Sequence, residues 1–231
     1  MHRIQPERHF STDHFVNREL SLLQFQRRVL AQAADPSVPL LERLRFLCIV
    51  SSNLDEFFEV RVAGVKEQQR LGSLVLTTDG LTPSELQSRI SREVHSLITD
   101  QYNLLNNTIL PALAAEGIVF LRRSVWTDAQ HLWARDYFIR EVMPVLTPIG
   151  LDPAHPFPRV LNKSLNFAVE LEGRDAFGRS SGAAIVQAPR ALPRVIRLPK
   201  DLTGVDYGFV FLSSMLHAHV GELFEGMNVL G

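Results

Sequence analysis

A helical bundle followed by an α+β domain is the fold this chain predicts, and three observations carry the prediction. Between Leu40 and Arg70 the apolar residues Leu40, Leu44, Leu47, Leu54, Phe58, Val62 and Val65 recur at helical spacing, as one buried helical face requires. Leu86, Ile90, Val94, Leu97, Ile98, Tyr102, Leu105 and Ile109 make a second, longer stripe. Beyond it the texture changes to short apolar runs punctuated by Gly and Pro, the mark of strands mixed with helices. The expected organisation is a leader over 1–14, a helical domain over 15–108 and an α+β domain over 109–231, which the resemblance given below makes part of a larger head domain.

Taken in order, residues 1–14 are polar, contain histidine and show no period, so they predict a mobile leader. A first helix begins near Asn17 or Glu19, with Leu20, Leu23, Phe25, Val29 and Leu30 on an approximate face, and Pro36 and Pro39 stop it. The Leu40–Arg70 segment follows. Gly72 and the run Thr77-Thr78-Asp79-Gly80 predict a turn-rich connection. Thr82-Pro83-Ser84-Glu85 then combines a capping hydroxyl, a proline at the first helical position and a reciprocal glutamate. Pro111 kinks or ends the long helix and Gly117 closes the segment.

In the second part, Ile118–Leu121 reads as a strand, and Thr127-Asp128 caps a helix to about Val142 with Trp133, Tyr137 and Phe138 inward. Five prolines between Pro144 and Pro158 predict a stiff extended connection. Leu165–Leu171 and Ala183–Gln187 alternate as strands do, Val195–Leu198 and Gly208–Leu212 are further strands, and Leu212–Phe224 is a last helix.

With 231 residues, 45% hydrophobic and 21% charged, the chain can bury a substantial core as one large or two small domains. A net charge of −1 supplies no overall basic field and argues against a nucleic-acid partner. Cys48, the single cysteine, lies in the apolar run Phe46–Val50 and is expected to be a small buried hydrophobe; no intrachain disulfide can form, which suits a reducing cytoplasm. The start, MHRIQPERHF, has no signal-peptide core, and no apolar run is long enough to span a bilayer. The expectation is a soluble cytoplasmic protein, with peripheral membrane association left open.

Ser51-Ser52-Asn53 interrupts the second helix with three poor helix formers, a cost of roughly 1–2 kcal/mol relative to alanine. Either the helix breaks there, with Asn53 as an N-cap and Asp55 and Glu56 in a new first turn, or Asn53 points at a ligand. Spacing leaves both readings open.

The stretches FVNRELSLLQFQRRVLAQA, PLLERLRFL and SSNLDEFFEVRVAGVKEQ, with PVLTPIGLDPAHPFPRVLNKSLNFAVEL and VQAPRALPRVIRLP downstream, resemble the polyphosphate kinase 1 family. The resemblance covers nearly the whole chain after its leader, with one departure: the family's ELSWLEFN carries Trp and Asn where this chain has Leu22 and Gln26. It implies reversible transfer of the terminal phosphate of ATP to inorganic polyphosphate through a phosphohistidine, with Mg²⁺ as cofactor, in a bacterial homodimer or higher homo-oligomer. It further implies that the chain is an amino-terminal piece whose second part belongs to a head domain associated with dimerisation. The nucleophile belongs to later domains. His2, His9, His14, His95, His131, His155, His217 and His219 do not match it, and no G-x-x-x-x-G-K-[ST] loop is present. No catalytic residue and no metal ligand is therefore expected here, and the piece alone is expected to be inactive.

One residue is carried over by the resemblance: Asn53, which in the family lines the adenosine side of the nucleotide pocket. A carboxamide offers donor and acceptor together, which suits a purine or ribose edge. Asp55 and Glu56 would hold the motif by capping or by pairing with Arg61 or another base; otherwise they are solvated or structural carboxylates. Other features read structurally: Leu22, Leu23, Phe25, Phe57 and Phe58 as core or interface, His155 as a turn residue, and Arg122, Arg123 and Arg190–Arg197 as a solvated face that could meet anions. His217 and His219, two residues apart, point to different faces of a helix. The alternative is a non-catalytic interaction or dimerisation module.

Overall fold

The computed structural model describes residues 11–152, 154, 156–173 and 182–231. The chain divides into two compact units between Leu113 and Ala114. Residues 1–10 of the expected leader, and His155, lie outside the described residues.

The first unit is helical: α1 (Arg18–Ala34), α2 (Leu40–Glu56), α3 (Ala63–Arg70), α4 (Pro83–Leu104) and α5 (Leu110–Ala115). Asn17 caps α1 by accepting from the backbone N–H groups of Glu19 and Leu20, and its own amide donates to Asp79 at 2.9 Å. The start of α1 is thus tied to the turn that precedes α4. At the other end of α1, the Arg43 guanidinium of α2 donates to the terminal carbonyl of Ala33 at 2.8 Å, satisfying one of the orphan acceptors of a helix end. The Thr82–Glu85 capping box forms as the sequence predicts, with Pro83 at the first helical position.

α2 runs unbroken through Ser51-Ser52-Asn53, so the helix-break reading is overturned. The reason is partnership. Gln101 of α4, buried, donates to both the Leu47 carbonyl and the Ser51 hydroxyl, at 2.9 and 2.8 Å, which offsets part of the local propensity cost.

Past Glu56 the helix widens into a π segment over Phe57–Val62 before resuming as α3. Core positions then run Leu47, Val50, Leu54, Phe57, Val62, Val65, with a step of five across the wide turn. Phe58, expected in the stripe, is 41% exposed, and Phe57 takes its place at 6%. Cys48 is also exposed, not buried: it falls on the outer side of α2, between inward-facing Leu47 and Val50. A second π segment, Leu105–Ile109, precedes Pro111, so the long helix widens before the proline and continues as α5; Ile98 and Tyr102 face outward.

The second unit carries two sheets. One has the order β1-β6-β5, with β1 (Ile118–Phe120) parallel to β6 (Tyr207–Phe211) and β5 (Val195–Arg197) antiparallel to it. The other is antiparallel, in the order β2-β4-β3-β7, with β2 (Thr147–Gly150), β3 (Leu165–Gly173), β4 (Ala183–Ala188) and β7 (Met227–Val229). Helices α6 (Asp128–Tyr137), α7 (Lys200–Thr203) and α8 (Leu212–His219) complete it, α6 widening into a third π segment over Phe138–Val142. The core gathers Phe138, Val142, Val169, Val186, Val210, Leu212, Met215 and Leu216.

Two strands escaped the sequence reading. β2 lies inside the proline-rich connection, where Pro148 is tolerated because β2 is an edge strand paired only to β4. β7 is three residues long. β4 does not alternate as expected: it is a central strand, and Ala184, Ile185 and Val186 are all buried. The last helix is shorter than predicted, passing into a 3₁₀ turn over Val220–Leu223.

Gly208 of β6 has a steric reason. A Cβ there would come within 2.4 Å of Thr203 Cγ2, and Thr203 is held by hydroxyl bonds to the carbonyls of Lys200 and Val205. Gly208→Ala is expected to destabilise this unit by about 1–3 kcal/mol. Denaturant unfolding followed by tryptophan fluorescence checks it, since Trp126 and Trp133 both lie in this unit. Adding Thr203→Ser, which removes the clashing methyl, should recover part of the loss.

Candidate functional site

α1 and α2 pack along their lengths, and the π segment that follows α2 flares the groove between them into a pocket of about 350 Å³. Leu22, Leu23, Phe25 and Gln26 line it from α1, and Asn53, Glu56, Phe57, Val60 and Arg61 from α2 and the π segment. The residues at 53, 56, 57, 60 and 61 follow helical spacing, so a single face supplies that wall. Its size is near the lower end of the range for small-molecule sites.

Asn53 is half-buried and borders this pocket. Its Nδ2 donates to Oε1 of Gln26 across the groove at 3.0 Å, and its Oδ1 keeps its acceptor capacity. Gln26 is 7% exposed although it sits on the inner face of α1, flanked by buried Leu23 and Leu30. A buried amide on such a face requires a partner, and Asn53 is that partner.

The remaining lining divides by chemistry. Leu22, Leu23, Phe25, Phe57 and Val60 are apolar and suit a flat ring. Phe25 and Phe58, both expected as core or interface, are 47% and 41% exposed and so not in the core; Arg28 lies over the Phe25 ring at 5.7 Å. Glu56 and Arg61 supply one carboxylate and one guanidinium. The expected pairing of Asp55 or Glu56 with Arg61 is not made, since among the described residues neither carboxylate has an ion-pair partner. Both are exposed, which is the solvated alternative of the sequence reading.

Among the described residues no group of three or more His, Cys, Asp or Glu side chains converges on a point, and Glu56 is the one carboxylate lining the pocket. No described helix is long and apolar enough to cross a membrane.

The other sequence candidates take structural places. His217 is exposed while His219 is half-buried beside Phe138, ring centroids 5.9 Å apart, with Nε2 sealed and without a partner among the described residues. Arg190, Arg194 and Arg197 each donate to a backbone carbonyl, those of Asn162, Ala188 and Asp206, and so brace loops. The sequence reading missed Gln26, Val60 and Arg61 as pocket residues. Helical spacing from Asn53 would have reached Val60 and Arg61; Gln26 needed the register of α1 against α2.

Comparison with known proteins agrees with the layout. Residues 15–121 match the family model of the polyphosphate kinase N-terminal domain, and residues 129–231 that of the polyphosphate kinase middle domain. A curated polyphosphate kinase of Neisseria meningitidis serogroup B is 65% identical over 214 residues, which is 93% of this chain and 31% of that protein. One from Burkholderia vietnamiensis is 62% identical over the same span. The crystal structure of polyphosphate kinase from Porphyromonas gingivalis superposes with a TM-score of 0.76 at 28% identity, covering 94% of this chain and 32% of that one. The chain thus spans about a third of the length of the relatives it matches.

Proposed function

The chain belongs to the polyphosphate kinase family, with the N-terminal and middle domains of that family in order, and from this we propose that its helical unit forms one wall of an ATP site. In this reading the whole enzyme moves the terminal phosphate of ATP reversibly onto inorganic polyphosphate. A neutral imidazole nitrogen attacks the γ-phosphorus and ADP leaves; a terminal oxygen of polyphosphate then takes the phosphoryl group from the phosphohistidine. The histidine comes from domains outside this chain, so the chain by itself transfers no phosphate. Mg²⁺ would neutralise the ATP phosphates when bound, held by groups outside this pocket. The bacterial cytoplasm is the compartment that supplies both substrates, and the second unit is the pairing surface of a homo-oligomer.

One observation carries the reading: Asn53 sits mid-helix at an intrinsic cost, borders a pocket with apolar walls, and keeps its carbonyl oxygen available there. Asn53→Ala in the full-length protein is expected to raise KM for ATP about tenfold, with kcat within about twofold, because it removes binding made equally in ground and transition states. Steady-state kinetics with saturating polyphosphate checks it. An unchanged KM would sink the reading.

A second reading has an observation of its own. Ile149 on edge strand β2, with Phe157, Val160 and Leu161, is between 42% and 67% exposed. Such a surface suits an interaction or dimerisation module. That module alone predicts that Asn53→Ala leaves KM for ATP unchanged, while substitutions on the exposed apolar residues alter self-association in sedimentation experiments.

A further inference from the structure

The second unit carries a pocket of its own, lined by β2, the turn before β3 and the turn after β4, with no carboxylate in its walls. We infer that this pocket binds phosphoryl groups of the polyphosphate chain, with Arg190 as the residue that contacts them. The inference rests on the polyphosphate kinase reading and adds to it a place for the second substrate outside the helical unit.

Charge in this unit is segregated. The stretches 156–169 and 183–200 contain Arg159, Lys163, Arg190, Arg194, Arg197 and Lys200 and not one Asp or Glu, in a chain whose net charge is −1. Two of these cations are answered nearby: Lys200 pairs with Asp206, and Arg197 lies over the Tyr207 ring at 5.0 Å. Arg194 is not. Its Nη2 donates to the Ala188 carbonyl at 3.3 Å, its Nη1 is sealed without a partner, and no carboxylate among the described residues pairs with it. A guanidinium cannot shed its proton, so a fixed positive charge sits beside the end of β4 without a counter-ion.

The pocket lies against that charge, since Ala188 is part of its lining. Thr147 and Gln187 are register partners across β2 and β4, and both side chains face the pocket. Neither has a hydrogen-bond partner among the described residues, and neither is sealed. Arg190 gives Nη2 to the Asn162 carbonyl at 2.7 Å, which braces the guanidinium while its Nε and Nη1 stay unpartnered. A braced guanidinium fork, a hydroxyl and an amide with no acid beside them make a donor set for a phosphate oxygen. Val145, Ile149 and Leu161 form apolar walls, and a charge-assisted bond against such walls is stronger than on open surface. At about 230 Å³ the pocket falls below the usual range for small-molecule sites and suits phosphoryl groups rather than a nucleotide. No aromatic side chain lines it, so a base finds no stacking platform, which favours a bare phosphate chain over a nucleic-acid strand.

The test uses the full-length protein in two measurements: equilibrium binding of polyphosphate without ATP, and steady-state kinetics with polyphosphate and ATP varied in turn. Arg190→Gln is expected to weaken polyphosphate binding and raise KM for polyphosphate about tenfold, with KM for ATP within about twofold. The slope of log affinity against log salt should fall by about one. Arg190→Lys keeps the charge but loses the fork, and should weaken binding about threefold. Gln187→Leu, which leaves the Arg190–Asn162 brace in place, should also cost about threefold; thermal melting verifies that each variant folds. Single-stranded DNA and phosphatidylglycerol vesicles are the comparison ligands. Unchanged polyphosphate binding in Arg190→Gln and Gln187→Leu, an equal rise in KM for ATP, or a larger loss of DNA or vesicle binding than of polyphosphate binding would each overturn the inference. Wild-type turnover of polyphosphate with unaffected variants sinks this site alone. A wild type that neither binds nor extends polyphosphate sinks the polyphosphate kinase reading with it.

Discussion

Phe57→Ala is expected to destabilise the helical unit by about 3–5 kcal/mol, whereas Phe58→Ala should cost less than about 1 kcal/mol. The two phenylalanines are neighbours in sequence and touch edge to face, centroids 5.9 Å apart, but only Phe57 is inside. Truncating it removes a ring held between Leu54 and Val62 in the core stripe and opens a cavity at the base of the pocket. Phe58 is 41% exposed and loses mainly that edge contact. Thermal unfolding by far-UV circular dichroism, with hydrogen exchange on α2 and α4 to assign the loss to this unit, gives the comparison. A larger cost for Phe58→Ala than for Phe57→Ala would mean that the wide turn over Phe57–Val62 is absent and the helix regular.

That contrast marks where the sequence stopped being readable. The helices, the Thr82 capping box and the step from helical to mixed texture all leave local chemical signatures, and they were found. A π segment leaves none: it inserts one residue into a turn without changing composition, and every burial assignment beyond it slips. Steps of three or four that must run from Leu54 on to Val62 select Phe58; the structure takes Phe57 and then moves five residues to Val62. Strand β2 was hidden for a related reason. Proline argues against strands in general, and only knowledge that β2 is an edge strand removes the objection.

The site divides in the same way. Asn53 drew notice as one of three poor helix formers in a row, but spacing left its role open and only the family resemblance pointed to a ligand. Gln26 is a good helix former and costs α1 nothing, so no local signal singles it out. What sets it apart is burial and a partner 27 residues away in sequence, both consequences of how two helices pack. Its place in a motif where the family has Asn was noticed only as a departure, since sequence alone does not say that the longer side chain faces Asn53.

In the second unit the largest expected effect follows from Phe138→Ala. Phe138 is fully buried at the start of the π segment after α6, and its loss should cost this unit about 3–5 kcal/mol, read from the Trp126 and Trp133 fluorescence in denaturant titrations. The same substitution should change the pH dependence of stability. Burial holds the His219 imidazole below its ordinary pKa, the positive field of His131 pushes the same way, Glu222 opposes, and Arg135 adds to the depression. Above a pH of about 6.5 the imidazole is neutral in folded and unfolded chains alike and contributes no slope. As pH falls through that value the unfolded chain takes up a proton that the fold refuses, so stability declines until the depressed folded pKa is passed. His219→Gln should flatten this acid limb while leaving stability near pH 8 close to that of the wild type. Phe138→Ala should make the limb shallower for a different reason. The cavity it leaves lies against the ring of His219, whose Nε2 has no partner, and water entering there would hydrate the imidazolium and raise its pKa toward the ordinary value. A limb of unchanged slope in both variants would show that the buried imidazole is not the group the fold refuses to protonate.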